Sequence, residues 1–528
     1  MTYQDPRAGR WPGLRGRFIV WSLVLALIAA ACTTATESTT TTAGDDSDGT
    51  TTTDAGTETT TGNGGEVSSA EAAVEAAQQY SGITLDVTWE AGPQAVDPIE
   101  FSGPMWTELT GIEINVIEMD VPDLFSTVVA DHQAGGSSFD VLSIVPAWLP
   151  DLSSGGVIEP LDSYIDQYIN PADLEDYHPL YKDMSEYDGQ RWGLFDDGDI
   201  LMLFYRTDLF EDADLQAAFE AAAGRPLEVP ATWDDLAEVA QFFTDELGPD
   251  IDGWGIWRNS FNDGMFLPAF QSNGGEFFDV ENDMRALINS EAGLETVNQM
   301  LAQNESGPDE MLSWGVFEPL TAFLAGDLAM TVFWPPLGRW AEAYGTDDPM
   351  MEFVPDTEVA GITGYAPLPG GHSQHSGGFT LGVSADSDAK EAAYLFTQWM
   401  TSPEISAQRV QLDTALRDPF RTSHFEDEGY RNLWPTAGDY LDTIDEAADN
   451  AVIDLTIPGA FEYIAALDQG LTSIWAGEDP QAALDNIAAE WDRITDQIGA
   501  EEARAAWEVF LQIPGSSVDT TVSALGLD

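Results

Sequence analysis

Positive charge is scarce in this chain. Its 528 residues include 18 Lys and Arg against 93 Asp and Glu, and lysine occurs only at positions 182 and 390. The formal net charge of −75 makes nucleic acid and anionic lipid headgroups unsuitable partners, and it repels polyanionic solutes at long range. Two origins fit such acidity: selection for solubility in high salt, where screening removes most self-repulsion, or an acidic lineage of moderate salinity. Cysteine is scarcer still. Cys32 is the only one, so there is no disulfide framework. A chain this long needs none, because it buries a sufficient core. Of the five histidines, His372 and His375 sit in a Gly-rich stretch rather than on a helix face, and no metal-binding spacing stands out. There is no phosphate-binding P-loop and no GxSxG elbow, so neither a metal nor a cofactor is expected.

Long apolar runs are also missing. Phe18–Ala31 is 14 residues, short of the roughly 20 that span a bilayer as a helix. It follows Arg7, Arg10, Arg15 and Arg17 and ends in Ala29-Ala30-Ala31-Cys32. A basic head, a short apolar stretch and small residues read as an export signal over residues 1–31. The sole cysteine after them resembles the lipobox of bacterial lipoproteins, where that cysteine is lipidated and becomes the new N-terminus. Ala29 stands where leucine is usual. The alternative is an ordinary secretory signal cut near Ala31. Lipidation implies an extracytoplasmic protein anchored to the outer face of the cell membrane. Residues 33–65 carry no large apolar side chain. They cannot offset their ordering entropy, so 32–66 is expected as a disordered tether reaching on the order of 30 Å.

From Ser68 the pattern turns globular. Ile83–Trp89 and Ile112–Met119 alternate as strands, and Phe139–Val145 is more continuously apolar, as in a buried parallel strand. Between the last two, Asp123–Gln133 has helical spacing and stops at Gly135-Gly136. This βαβ alternation predicts a largely parallel sheet flanked by helices. Thr232 caps a further helix, and Gly253–Trp257, Leu328–Phe333 and Phe379–Val383 read as strands. Lys390–Met400 is an amphipathic helix.

Six ordered segments carry a family pattern: Phe139–Leu142, Trp192–Leu194 with Leu203–Phe210, Pro230–Asp234, Asp252–Gly255, Gly326–Met330, and Gly377–Gly382 followed by Lys390–Ser402. Together they resemble the carbohydrate-type extracellular solute-binding proteins of ABC importers, the group that includes the maltose-binding protein. The resemblance spans about residues 80–500. It implies an α/β, two-lobed periplasmic-binding-protein-like fold over 67–510, with a C-terminal tail at 511–528. The lobes would be discontinuous: about 80–199 with 331–383, and about 204–330 with 384–510. A multi-crossing hinge would fall near Asp199–Phe204, Ala329–Phe333 and Leu381–Ser384. It further implies a monomer that captures a sugar or oligosaccharide and delivers it to membrane permease subunits, with the energy supplied by a separate ATPase.

The residues themselves suit that chemistry. Sugars need flat aromatic faces and fixed carboxylate acceptors. In α/β sheets the ligand lies beyond the carboxyl ends of strands. The candidates there are Glu90, Trp148, Asp196, Asp197, Asp199, Trp257, Arg258, Trp334, Gly377 and Gly378. Arg421 joins them because Arg417–Arg421 resembles a cleft-lining stretch of the family. Trp148 and Trp334 have packing as the competing reading, Asp196–Asp199 a solvated acidic turn, and Gly377-Gly378 mere close backbone approach. Two other functions stay open: a secreted glycoside hydrolase using paired acids, and a same-fold binder of a polyamine or peptide. Acids outnumber bases fivefold, so paired carboxylates carry little weight for the first.

The anchor makes a direct prediction. Cys32→Ser should release the protein into the medium or leave it unprocessed, read by fractionation and mass. Normal processing with retained membrane attachment would remove the lipoprotein reading.

Overall fold

The structure, a computed structural model, describes residues 67–375, 378–414 and 416–525. The leader, Cys32, the tether and Gly377 lie outside these.

Eight strands organise the chain: β1 (Thr84–Glu90), β2 (Glu113–Met119), β3 (Val141–Ile144), β4 (Leu194–Asp197), β5 (Met202–Arg206), β6 (Met330–Phe333), β7 (Thr363–Ala366) and β8 (Phe379–Val383). The first sheet runs β2-β1-β3-β8-β4. β1 is parallel to β2 and β3, whereas β8 lies antiparallel to both β3 and β4. The second sheet runs β6-β5-β7, antiparallel throughout. The helix between β2 and β3 covers Val121–Gln133, so the expected βαβ unit is present.

Both faces of the first sheet are covered. Leu85, Val87 and Trp89 join helices Ser69–Ala77 and Lys390–Thr401 on one side. Leu142 and Ile144 meet Leu124, Trp148 and Leu152 on the other. A larger core surrounds the second sheet, whose central strand buries Met202, Leu203 and Phe204 completely. Thr232 caps helix Trp233–Leu247, its hydroxyl accepting from the Asp235 N–H at 3.1 Å.

The strand pairing departs from the expected partition. Strands β6 and β7 pair with β5, so the 331–366 stretch sits with the second sheet. Helix Lys390–Thr401 packs on the first sheet instead, because Ala392–Thr401 are buried all round and need cover on both sides. The chain passes from the first sheet to the second at 198–201. Ala329–Phe333 is not a crossing, since β6 stays within the second sheet. Gly253–Trp257 forms only a single bridge, Gly255 to Thr331, rather than a strand. Backbone proximity explains the glycines there: a Cβ on Gly253 would lie 1.8 Å from the Ala240 carbonyl oxygen. The tail is no loose end, because Ile453 donates its N–H to the Gly515 carbonyl at 2.8 Å and Val522 is buried.

The crossing at 198–201 is pinned by charge. Asp196 and Asp197 are fully buried at the end of β4. Arg409 donates to Asp196 and, through Nε, to Asp97 at 2.6 Å. Arg417 donates to Asp197, which also accepts the Asp418 N–H at 2.8 Å. Gly198 is required between them, since a Cβ there would sit 2.0 Å from the Pro419 carbonyl oxygen.

Removing one member of a buried ion network leaves an uncompensated charge, which costs about 3–5 kcal/mol. Arg409→Ala should therefore lower the urea midpoint by that equivalent with an unchanged m-value. A loss under about 1 kcal/mol would show that the pairing is dispensable.

Candidate functional site

The carboxyl end of β1 and the 196–199 turn come together. Glu90, half-buried, feels the charge of the Arg417 guanidinium that pairs with Asp197, and burial pushes its carboxyl up to about 7 despite that arginine, with Asp197 and Asp120 adding repulsion. Asp199 lies beside them and accepts the Gly378 N–H at 2.9 Å. Gly378 has φ +64, a conformation that suits glycine. Burial, with Asp197 and Asp418 adding repulsion, holds the Asp199 carboxyl well above the usual carboxylate range.

Several expected ligands prove to be structural. Asp196 and Asp197 have no exposure, and their oxygens are engaged by Arg409, Arg417 and the Asp418 N–H. Asp197 is thus a pin of the crossing rather than an acceptor for solute hydroxyls. Arg421 lies away from the strand ends, donating to the Thr401 carbonyl at 3.1 Å and the Asp173 carbonyl at 2.6 Å over the Tyr177 ring. It stitches 173–177 to 401. Arg258 is fully buried and hydrogen-bonds Asn304 at 2.7 Å, with its guanidinium over Trp475. Lacking a carboxylate partner, it is brought down to about 9 by burial.

The second half contributes aromatic surface. Trp257 and Trp334 stack with centroids 5.0 Å apart and planes 13° from parallel. Trp257 is the inner ring, 1% exposed, and donates its Nε1–H to the Phe261 carbonyl. Trp334, directly after β6, is the outer, half-buried one. Phe261 is exposed with φ +52, an uncommon conformation for a bulky residue. Next to it Asp263 is pushed well up by burial and by the neighbouring carboxylates Asp454 and Asp468.

Trp148 takes the packing role in part. It is 6% exposed and lies against Phe125, whose ring stacks on Phe461 at 5.8 Å. The Asp151 carboxylate accepts the Gly459 N–H at 3.0 Å, just before helix Ala460–Trp475. Both contacts join the first half to the second. A cavity of about 710 Å³ beside them is lined by His132, Asp151 and Val157 on one side and Pro458, Glu462 and Ile494 on the other.

Arg409, Arg417, Asp418, Asp151 and Asp263 were not singled out from the sequence. For the arginines a signal existed: in a chain so poor in bases, an arginine near a family segment has a burial-scale task.

Glu90 sets a pH dependence. Its carboxyl keeps a proton in the folded state that the unfolded chain gives up near 4.5. Its contribution is fully present below that pH and is lost as pH rises through about 7, by at most about 3 kcal/mol. Glu90→Gln should flatten the fall in melting temperature between pH 5 and 8. An identical fall in the variant would clear Glu90 of the effect.

Comparison with known proteins places this geometry. Over 371 residues the chain is 24% identical to a probable amino-acid ABC transporter periplasmic-binding protein of Sinorhizobium fredii, covering 66% of this chain and 77% of that one. It superposes on a ribitol-bound ABC transporter solute-binding protein of Agrobacterium radiobacter with TM-score 0.64 and 22% identity, covering 78% and 99% of the two chains. Maltose-bound MalE3 of T. maritima gives TM-score 0.63 and 20% identity, covering 78% and 100%. These likenesses establish the α/β periplasmic-binding-protein fold. The bacterial extracellular solute-binding protein family matches residues 68–407, most of the globular part, and the chain belongs to that family of non-enzymatic ABC-transporter subunits.

Proposed function

We propose that the protein captures an uncharged polyhydroxylated solute, a sugar, oligosaccharide or polyol, between its two halves and presents it to the permease of an ABC importer. The observation that carries this reading is the Trp257–Trp334 pair. An inner ring held by its own hydrogen bond fixes the outer ring, and a fixed flat ring stacks on a sugar face at little entropic cost. Glu90, at the end of β1, and Asp263, at the start of helix Asp263–Ser272, supply carboxyl groups for hydroxyls. The ribitol and maltose in the two structural relatives belong to the same class.

An amino-acid solute, suggested by the name of the Sinorhizobium relative, is less well served. Its α-carboxylate needs a cation to meet it. Arg258 and Arg417 are buried, the first bonded through Nε to Asn304 and the second paired with Asp197, so neither presents its guanidinium at the surface. The importer would read the protein as a monomer tethered through Cys32 to the outer face of the membrane. No helix among the described residues is long and apolar enough to cross it.

Calorimetry against monosaccharides, oligosaccharides, polyols and free amino acids tests the solute class. Trp334→Ala should lower affinity for the best sugar or polyol at least tenfold, about 1.4 kcal/mol, with little change in melting temperature. Trp257→Ala should instead cost about 3–5 kcal/mol of stability, as a buried large-to-small change. Binding of amino acids without sugars, or a Trp334→Ala variant with lost melting temperature and intact affinity, would overturn the proposal.

A further inference from the structure

Asp197, Asp199 and Asp418 each bring one carboxylate oxygen to within 4.8 Å of the other two, and all three side chains are buried. Calcium binds oxygens at 2.3–2.6 Å, so two of its ligands lie at most about 5 Å apart. The donor set is entirely oxygen, which suits a hard cation and not a soft one.

Proximity alone would say little in so acidic a chain. The second observation is Asp418 itself. Its side chain has no exposure, and among the described residues no N–H or hydroxyl donor reaches either of its oxygens; its hydrogen-bonding neighbour is the Asp199 carboxyl. The Arg339 guanidinium stands 4.0 Å from Oδ1, at the limit of an ion pair. Two buried carboxyls that face each other are costly unless a cation or a proton lies between them. In the same cluster Asp199 accepts the Gly378 N–H, and Asp197 accepts from Arg417 and from the Asp418 N–H.

Charge balance points the same way. Asp97, Asp196, Asp197, Asp199 and Asp418 are all buried at the crossing, and the buried guanidiniums among them are Arg339, Arg409 and Arg417. Arg409 answers Asp97 and Asp196, and Arg417 answers Asp197 with Nε 3.6 Å from Asp196. With all five carboxylates ionised, three guanidiniums leave a deficit of two charges, which one divalent cation closes.

We infer that Asp197, Asp199 and Asp418 form a structural calcium site at the crossing between the two sheets, distinct from the solute site. The ion ties the 197–199 turn to the 418 segment, and through Asp199 to Gly378 at the start of β8.

The test uses chelator-treated protein in 1 M KCl, where a Debye length of about 3 Å suppresses calcium binding by surface acids. Equilibrium dialysis with calcium should show one saturable equivalent, and calcium should raise the melting temperature. Asp199→Asn and Asp418→Asn should each weaken that binding at least tenfold, while Glu228→Gln, at an exposed site, should leave it intact. Should the Asn variants fold poorly, terbium bound to the wild-type chain gives an independent reading. The Tyr181 hydroxyl, 2.8 Å from the Gly198 carbonyl, sits close enough to sensitise its emission, and calcium should quench that emission by competition. No saturable calcium in 1 M KCl, an equivalent that survives both Asn variants, or no calcium-competable terbium signal would overturn the site. A proton shared by Asp199 and Asp418 would then account for the cluster.

Discussion

Asp196 and Asp197 leave water entirely at the last residues of β4, where the chain is about to pass from the first sheet to the second. An ionised carboxylate moved out of water loses several kcal/mol of hydration, and only close opposite charge and hydrogen bonds return it. The guanidiniums come from Arg409 and Arg417, more than two hundred residues further along. That requirement shapes the second part of the fold. After completing the second sheet, the chain has to come back to the first, and it does so through β8, helix Lys390–Thr401 and helix Pro403–Arg409. The return delivers Arg409 to Asp97 and Asp196, and the following segment delivers Arg417 and Asp418. Gly198 completes the joint, because only a residue without Cβ lets the Pro419 backbone approach so closely.

The same joint conditions the solute side. Arg417 lies over the rings of Trp89 and Phe379 and is the positive charge nearest Glu90. It is committed to Asp197, so Glu90 keeps a carboxyl that burial pushes towards neutrality. On the other half, Asp263 is crowded by Asp454 and Asp468. Carboxyls held towards neutrality offer both a donor and an acceptor, which suits the hydroxyl groups of the proposed uncharged solute.

Local pattern was enough for the elements of the first sheet. The alternation in Ile83–Trp89 and the more continuously apolar run at Phe139–Val145 mark β1 and β3, and the spacing in Asp123–Gln133 marks the helix that precedes β3. Which sheet a later strand joins was not legible, because β6 and β8 have the same apolar character and differ only in partner. Pairing is a long-range choice. The site was half legible for a similar reason. Residues after strands were chosen by rule, and the structure gives them as separate groups: Asp199 with Gly378, Glu90 near Arg417 and Asp197, and Trp257 stacked on Trp334. Whether an acid there faces solute or an arginine depends on where Arg409 and Arg417 arrive, and no local signal reports that. Arg421 misled because it shares a segment with Arg417, four residues away, yet points to Thr401 and Asp173.

Two physical kinds of contact hold the chain in place. At the crossing, Arg409 holds the returning chain to Asp97 and Asp196 beside the first sheet, buried and multiply hydrogen-bonded, so that breaking it would orphan several ions at once. At the rim the contacts are few and of modest strength: the Phe125–Phe461 stack and the Asp151 carboxylate on the Gly459 N–H. Each of these is worth on the order of 1 kcal/mol or a little more. Screening by salt weakens the repulsion among surface acids and leaves the buried joint nearly untouched.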